Sequence, residues 1–448
     1  MSNQSKYPTS LFSSNLTFTG ESENSGVLAI AGCLGEKLVK EFGSPLFVID
    51  QADFFLRAKS WRQVLDTSFG GGQLYYAAKS FICVEVAKWL KELKLGLDVC
   101  SAGELAVALA ADFPASDIEF HGNNKSESEI TTAIKAGVGT IVIDSFDEIT
   151  RVSDIAKSLN KTQKVYLRLT PGIDAHTHEF ISTAHEDVKF GFSIASGAAN
   201  EAIKKCMEQS SLNLTGIHCH IGSQIFEVDG FKAAAQRLVA VLATFRDKYS
   251  KELPELNIGG GYGIAYTKDE SAISPDVVIP AIASVIKDEC AKAKLALPRI
   301  SIEPGRAIVG PTTTTLYLVG TTKSVKLDNG SERRYISVDG GMSENIRPAL
   351  YGAVYSAFLA NRTSTAKLIS SRVVGKHCET GDILISEINL PSDIKAGDLL
   401  AIPATGAYGR SMASNYNHIS RPAVITVING TARVILRREN EQDLLNLD

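Results

Sequence analysis

Leu74-Tyr75-Tyr76-Ala77-Ala78-Lys79 is a short apolar run that ends on a lysine. It is the first of eight such runs, at 74–79, 95–100, 118–122, 140–144, 164–169, 214–220, 255–260 and 299–303. The segments between them mostly read as amphipathic helices, as in Glu85-Val86-Ala87-Lys88-Trp89-Leu90. Strand and helix in steady alternation mean parallel β-structure with right-handed crossovers. Eight units in about 250 residues predict a (β/α)8 barrel, with an open doubly wound sheet as the alternative.

On either side of these units the texture differs. Leu46-Phe47-Val48-Ile49-Asp50 reads as a strand, followed by a helix from about Ala52 to Leu65, and together they look like the lead-in to the barrel. After Arg306 the chain becomes β-branched and alternating, from Thr312 to Lys326. Asn329-Gly330 and Asn429-Gly430 each sit between strand-like runs, a hairpin signal. Further strands are expected at Asp382-Ile383-Leu384-Ile385 and Asp398-Leu399-Leu400-Ala401-Ile402. The expected division is a barrel over 46–310 and a mostly antiparallel β domain over 311–448. Residues 1–45 are expected to join the β domain through Leu16-Thr17-Phe18-Thr19 and Val27-Leu28-Ala29-Ile30. Ser101-Ala102-Gly103-Glu104 fits a helix capping box.

Composition narrows the class. Net charge is −4 and no long basic run is present, which argues against nucleic acid and anionic membrane as partners. Seven cysteines, an odd number with no C-x-x-C pair, fit free thiols in a reducing compartment. The N-terminal stretch carries Lys6 and no arginine before Arg57, and no apolar core of signal-peptide length. No apolar run is long enough to span a bilayer. A soluble, cytoplasmic protein is expected.

Four unusual clusters fall at strand ends, where a barrel places its active site. Lys79 ends the first strand, where an ammonium at the edge of a packed core has a depressed pKa and becomes a nucleophile toward carbonyls. The plainer reading is a lysine whose stem lies on apolar surface and whose ammonium reaches water. His218-Cys219-His220-Ile221-Gly222-Ser223 ends the sixth strand. His218 and His220 share a face, but no carboxylate stands at ligand spacing, so no metal is assigned. His220 can stack on a flat aromatic cofactor, and His218 reads equally as a satisfied core histidine. Gly259-Gly260-Gly261-Tyr262-Gly263 ends the seventh strand; it is either a turn or a run whose backbone N–H groups approach a phosphate, with Ser223 adding a hydroxyl. Glu303-Pro304-Gly305-Arg306 ends the eighth. A partly buried Glu303 needs a partner, either Arg306 or a protonated ring nitrogen.

A lysine, a phosphate cradle, a stacking histidine and an acid for a ring nitrogen together describe a site for pyridoxal 5′-phosphate. An acid at that nitrogen keeps the ring protonated and electron-withdrawing, which favours decarboxylation; an arginine there would suit racemisation. A cofactor-free Schiff-base aldolase would need neither Glu303 nor the glycine run.

With these motifs in place the chain resembles the fold-III pyridoxal phosphate decarboxylases, from about residue 26 to about residue 430. The marks are Tyr76-Ala77-Ala78-Lys79, Gly122-Asn123-Asn124-Lys125, His220-Ile221-Gly222-Ser223-Gln224, Gly259-Gly260-Gly261 and Glu303-Pro304-Gly305-Arg306. Further on come Ile346-Arg347-Pro348-Ala349-Leu350-Tyr351, Cys378-Glu379-Thr380-Gly381-Asp382, and Gly406-Ala407-Tyr408 leading to Ser414-Asn415-Tyr416-Asn417. The resemblance implies an alanine racemase-like pairing of a barrel with a β domain. It implies that Lys79 carries the cofactor, His220 stacks on its ring and Glu303 meets its nitrogen. Gly259, Gly260, Gly261, Ser223, Gly305, Arg306 and Tyr408 would surround the cofactor. Arg306, Arg347, Tyr351 and Tyr408 would hold the substrate, and Glu379 would meet its distal amine. Cys378 and Glu379 would come from the other subunit of a homodimer. Thr380, where serine is usual, and Ser80, where alanine is common, depart from the family pattern without removing a functional group.

Substrate choice follows from the far end that Glu379 and Arg347 can read. An acid and an arginine suit an end carrying both ammonium and carboxylate, as meso-diaminopimelate does, with L-lysine and carbon dioxide as products. Cys378 is a candidate to deliver or relay the final proton. Ornithine, arginine or carboxynorspermidine is the alternative substrate, and a non-catalytic binding paralogue is the alternative outside enzymes.

Overall fold

The computed structural model describes residues 11–19, 24–173 and 189–448; Lys6 lies outside them. Two compact units are present: Ala58–Gly263 with Ile273–Arg306, and Met1–Arg57 with Ile264–Ala272 and Ala307–Asp448.

The first unit is built on parallel strands β1 (Gln73–Ala77), β2 (Gly96–Val99), β3 (Ile118–Phe120), β4 (Thr140–Ile143), β5 (Gln163–Thr170), β6 (Leu212–His218), β7 (Glu255–Asn257) and β8 (Arg299–Ile302). Each pairs in parallel with the next. β8 pairs back to β1, with Ser301 opposite Gln73 and Ile302 opposite Leu74, so the ring closes. This is the (β/α)8 barrel, and the open sheet is set aside. All eight expected runs are barrel strands.

The strands are apolar because helices cover one face and side chains fill the other. Every residue of β2, β3 and β4 is buried. The covering helices present one stripe to them. Glu127–Ala136 starts in a complete capping box between Ser126 and Glu129 and buries Ile130, Ala133 and Ile134. The box expected at Ser101 is only half formed. The Ser101 hydroxyl accepts from the Glu104 N–H, but the Glu104 carboxylate accepts from the Cys100 N–H at 2.7 Å.

The second unit holds two sheets. The larger runs in the order Ile383–Pro391, Leu368–Val374, Glu332–Val338, Thr313–Lys326, Leu46–Asp50, Ala423–Ile428 and Thr431–Leu436. It is mixed, with two parallel pairings: Glu332–Val338 with Leu368–Val374, and Ala423–Ile428 with Leu46–Asp50. Both expected hairpins form, closing at Lys326 opposite Glu332 and at Ile428 opposite Thr431. At the second, Asn429 and Gly430 both have positive φ, as a type I′ turn requires. Leu16–Thr19 and Gly26–Ile30 pair with each other, and Gly26–Ile30 also pairs with Asn361–Arg362, forming the small sheet.

One expected placement changes. Leu46–Asp50 is not a lead-in to the barrel; it lies between Thr313–Lys326 and Ala423–Ile428 in the mixed sheet. All five of its residues are buried, and Leu46 and Val48 pack with Leu28, Leu316, Leu399 and Ile425. The contiguous unit expected from residue 46 to residue 310 is therefore redrawn, with this strand and the short segment Ile264–Ala272 assigned to the second unit.

The Gly122-Asn123-Asn124-Lys125 motif has a structural explanation. Lys125 is 2 % exposed, and its Nζ lies 2.8 Å from Oε1 of the equally buried Glu148. It also donates to the carbonyls of Gly122 (2.6 Å) and Val142 (2.8 Å). A buried ion pair with its other donors satisfied ties the loop after β3 to the end of β4. Losing one partner leaves a buried charge unpaired, at a cost of about 3–5 kcal/mol. Lys125→Met alone is therefore expected to lower stability to chemical denaturation by about that amount, and Lys125→Met with Glu148→Leu to recover most of it. A single variant as stable as the parent protein would contradict this assignment.

Candidate active site

β1 ends at Ala77, and Ala78–Ser80 makes one 3-10 turn. This turn buries Ala78 and Ser80 and leaves Lys79 exposed. The expectation that Lys79 ends the strand at the edge of a packed core is corrected: the backbone turns first and lifts the side chain out. Lys79 still sits in a strongly charged setting, acting electrostatically on Asp98, Glu104, His121, His220 and Glu303.

Glu303 follows β8 and is 4 % exposed. Its Oε1 accepts from Asn257 Nδ2 at 2.8 Å, and it lies 3.1 Å from His218 Nε2 and 3.3 Å from His121 Nε2. Burial works against the charge, and His218 and His121, with Lys79 beyond them, outweigh it and hold Glu303 well below the usual carboxylate range. The partner foreseen within the Glu303–Arg306 turn is not the one found. Arg306 instead donates to Ser223 Oγ at 2.7 Å, which joins the loop after β6 to the turn after β8.

Two more buried carboxyls stand around Glu303. Burial raises the pKa of Asp98, on β2, and of Glu119, on β3, and the charge on Glu303 raises both further. Three acids in one dry site cannot all ionise, so the charge settles where the donors are. Asn257 Nδ2 bridges two of them, reaching Glu119 Oε2 at 2.7 Å and Glu303 Oε1 at 2.8 Å. The ligand atoms of His121, His218 and Glu303 lie within 4.8 Å of one another. With Asn257 donating to the same oxygen, the trio reads as a carboxylate among donors.

His220 is half-buried after β6. Burial, then Lys79 and Arg168, hold its pKa well below the ordinary value, so the ring is neutral. Its Nδ1 lies 3.3 Å from the Gly260 N–H and accepts from it, which leaves the proton on Nε2. A neutral ring with one edge fixed suits stacking on a flat aromatic group.

The glycine run is required by packing. A Cβ on Gly260 would lie 2.2 Å from the carbonyl oxygen of Glu303, and one on Gly261, at φ +105°, would lie 2.2 Å from that of Gly222. The loops after β6, β7 and β8 therefore meet backbone to backbone, and Ile225 N–H donates to the Gly261 carbonyl at 2.9 Å. This close packing holds Gly259, Gly260, Gly261, Gly305, Ser223 and Arg306 around one barrel end.

Sequence reasoning missed Asp98, Glu119, His121, Arg168 and Asn257. For Asp98, Glu119, Arg168 and Asn257 a signal was present: a charged or amide side chain inside a strand buried on both faces must point into the barrel and find a partner there. Arg168 on β5 is 8 % exposed, with Nη1 3.6 Å from Asp144 Oδ2.

The remaining expected site residues belong to the second unit. Arg347 is 6 % exposed, donates to the Tyr355 hydroxyl at 2.5 Å, and lies 4.6 Å from the Tyr266 ring centre. Tyr351 ends the short helix Arg347–Tyr351 and is half-buried. Tyr408 is half-buried with φ +62°. Cys378 and Glu379 are exposed on a loop anchored by Asp382. Asp382 Oδ2 accepts from the His377 N–H (2.8 Å) and pairs with His377 Nδ1 (2.8 Å), while Oδ1 accepts from the Met342 N–H (2.6 Å). The Cys378 N–H donates to Asn417 Oδ1 at 3.1 Å. This loop is hydrogen-bonded at its root and exposes a thiol and a carboxylate.

The barrel end can hold a cofactor with a carbonyl, an aromatic nitrogen and an anionic group. It offers an exposed amine, a buried anion with fixed donors, a neutral imidazole and an arginine–serine pair. That donor set fits pyridoxal phosphate.

The model of the family described as pyridoxal-dependent decarboxylase, pyridoxal binding domain, matches residues 51–310. The diaminopimelate decarboxylase of Mycobacterium tuberculosis is 50 % identical over 428 residues, covering 94 % of this chain and 95 % of that protein. That of Bacillus subtilis is 44 % identical over 430 residues, covering 96 % and 97 %. The crystal structure of diaminopimelate decarboxylase from M. jannaschii in co-complex with L-lysine superposes with a TM-score of 0.88 at 29 % identity, covering 98 % of each chain. The lysine/ornithine decarboxylase from Vibrio vulnificus, at 21 % identity and a TM-score of 0.72, shares the fold. Barrel closure, the cluster around Glu303 and these likenesses lead to one assignment: the chain belongs to the diaminopimelate decarboxylase family of pyridoxal-dependent decarboxylases.

Proposed function

We propose that this protein decarboxylates meso-2,6-diaminopimelate to L-lysine and carbon dioxide, using pyridoxal 5′-phosphate held at the barrel end. The observation that carries the reading is the buried Glu303 anion among its donors. Bound pyridoxal phosphate supplies an electron sink that takes the charge left at Cα when the carboxyl group departs. Lys79 would provide the amine that anchors the cofactor. Glu303 keeps the ring nitrogen protonated. His220 covers the ring, and Ser223, Arg306, Tyr408 and the glycine run bind the phosphate.

In this reading the second unit supplies substrate recognition. Arg347 reads the distal carboxylate and Glu379 the distal ammonium, with Tyr351 and Tyr408 bordering them; Arg306 also contacts the substrate. The Cys378 thiol is assigned the proton delivery to Cα. Exposure of both Cys378 and Glu379 supports their supply to a second copy of the chain, so the active form is read as a homodimer with shared sites. All seven cysteines are thiols outside any disulfide, which supports a cytoplasmic setting. Among the described residues no helix is long and apolar enough to cross a membrane.

The direct test is lysine formation from meso-diaminopimelate with added pyridoxal phosphate, beside ornithine, arginine and carboxynorspermidine. Turnover of a diamine precursor with no lysine formed would sink the reading. Lys79→Ala is expected to abolish turnover and remove the near-visible absorbance of bound cofactor. Glu379→Ala is expected to keep that absorbance and to lower kcat/KM for meso-diaminopimelate by about 10- to 100-fold, the loss of one charged hydrogen bond. Normal kinetics would remove Glu379 from the substrate contact. Inactive Lys79→Ala and Cys378→Ala proteins, mixed and allowed to exchange subunits, are expected to regain part of the activity. No regain from demonstrated mixed dimers would contradict shared sites.

A further inference from the structure

Asn257, His218 and His121 all reach the same oxygen of Glu303. Asn257 Nδ2 is 2.8 Å from Oε1, His218 Nε2 is 3.1 Å from it and His121 Nε2 is 3.3 Å from it. For each of the three, the contact described is the one to Oε1. The two imidazoles are buried, at 7 % and 1 % exposure, and meet edge to face with centres 4.8 Å apart. Neither is a surface residue that happens to lie nearby, and packing alone would be better served by apolar side chains. Burying two imidazoles costs free energy unless their nitrogens do something there.

The rest of the cluster explains why donors are needed from this side. His121 Nε2 also lies 3.5 Å from Glu119 Oε2 and 3.7 Å from Asp98 Oδ1, so two further acids face the same nitrogen. Lys79 and Arg168 are the cations acting on the group. Without the imidazoles, Asn257 would be the remaining close side-chain donor to Oε1 among the described residues, shared with Glu119. Glu303 could then rotate, or take a proton from Asp98 or Glu119.

We propose that His121 and His218 are positioning residues for the reaction: their Nε2 atoms hold Glu303 by Oε1 and leave Oε2 for the cofactor ring nitrogen. The proposal rests on the reading that Glu303 serves that nitrogen. It requires the Nε2–H tautomer in both rings, with donation toward the carboxylate. It also separates the two histidines of the His218-Cys219-His220 motif: His220 faces the cofactor, and His218 works from behind through Glu303.

The test uses the holoenzyme with His121→Leu, His218→Leu, the double variant, and His121→Gln and His218→Gln, in which an amide N–H replaces the imidazole donor. Cofactor content, the absorbance spectrum of the bound cofactor, and kcat and KM are read separately. Each leucine variant is expected to shift the absorbance band and to lower kcat about 10- to 100-fold with KM held within about twofold; each glutamine variant is expected to stay within about fivefold of the parent kcat. A double leucine variant with the parent spectrum and kcat would overturn the proposal. So would glutamine variants that fold, bind cofactor and lose as much as the leucine variants. Should the leucine variants fail to fold, the glutamine variants decide it by the same comparison with the parent spectrum and kcat. A parent protein that shows no cofactor band would instead overturn the underlying reading of Glu303.

Discussion

A carboxylate buried at the end of a barrel strand keeps its charge only where fixed donors replace the water it has lost. Glu303 has one amide donor, from β7, and two imidazole nitrogens within 3.3 Å, from the ends of β3 and β6, all nearest to one oxygen. The barrel brings them together because it alone places the ends of non-adjacent strands around one point. Asp98 and Glu119 then serve as its counterparts, their burial raising their pKa so that the charge concentrates on Glu303. The chemistry assigned to this protein depends on that division of protons among three acids.

The same constraint accounts for the backbone around it. Glu303 N–H donates to the Gly259 carbonyl at 2.8 Å, and Gly260 packs against the Glu303 carbonyl at a distance no Cβ permits. The glycine run thus positions the acid, and its Gly259 and Gly260 N–H groups are given to Asn257 Oδ1 and His220 Nδ1. Reading it only as a phosphate cradle overlooks this work. Lys79 shows the converse, since its turn after β1 frees the amine from the core while its charge remains felt by Asp98 and Glu303.

The eight barrel strands were legible because a strand covered on both faces is a continuous apolar run, a local property. The four clusters at strand ends were legible for a related reason: glycines, histidines and charges are conspicuous where apolar runs stop. Partners were not legible. Glu119 and Asn257 are 138 residues apart; each is conspicuous as a polar side chain in an apolar run, but nothing pairs them until the barrel closes. Leu46–Asp50 illustrates the same limit, because a fully buried run looks alike in a parallel barrel and in a mixed sheet. His121 follows a strand that already seemed explained, and the motif His218-Cys219-His220 drew attention to spacing within one strand when the decisive contacts crossed the barrel.

The proposed chemistry turns on Glu303 being an anion that keeps the cofactor ring nitrogen protonated. The most direct measurement is the 15N resonance of ring-labelled pyridoxal phosphate bound to the protein, compared with Glu303→Gln. A protonated nitrogen in the parent protein that loses its proton in the variant is the predicted result. An unprotonated nitrogen in the parent, or one that does not respond to the substitution, would contradict the account.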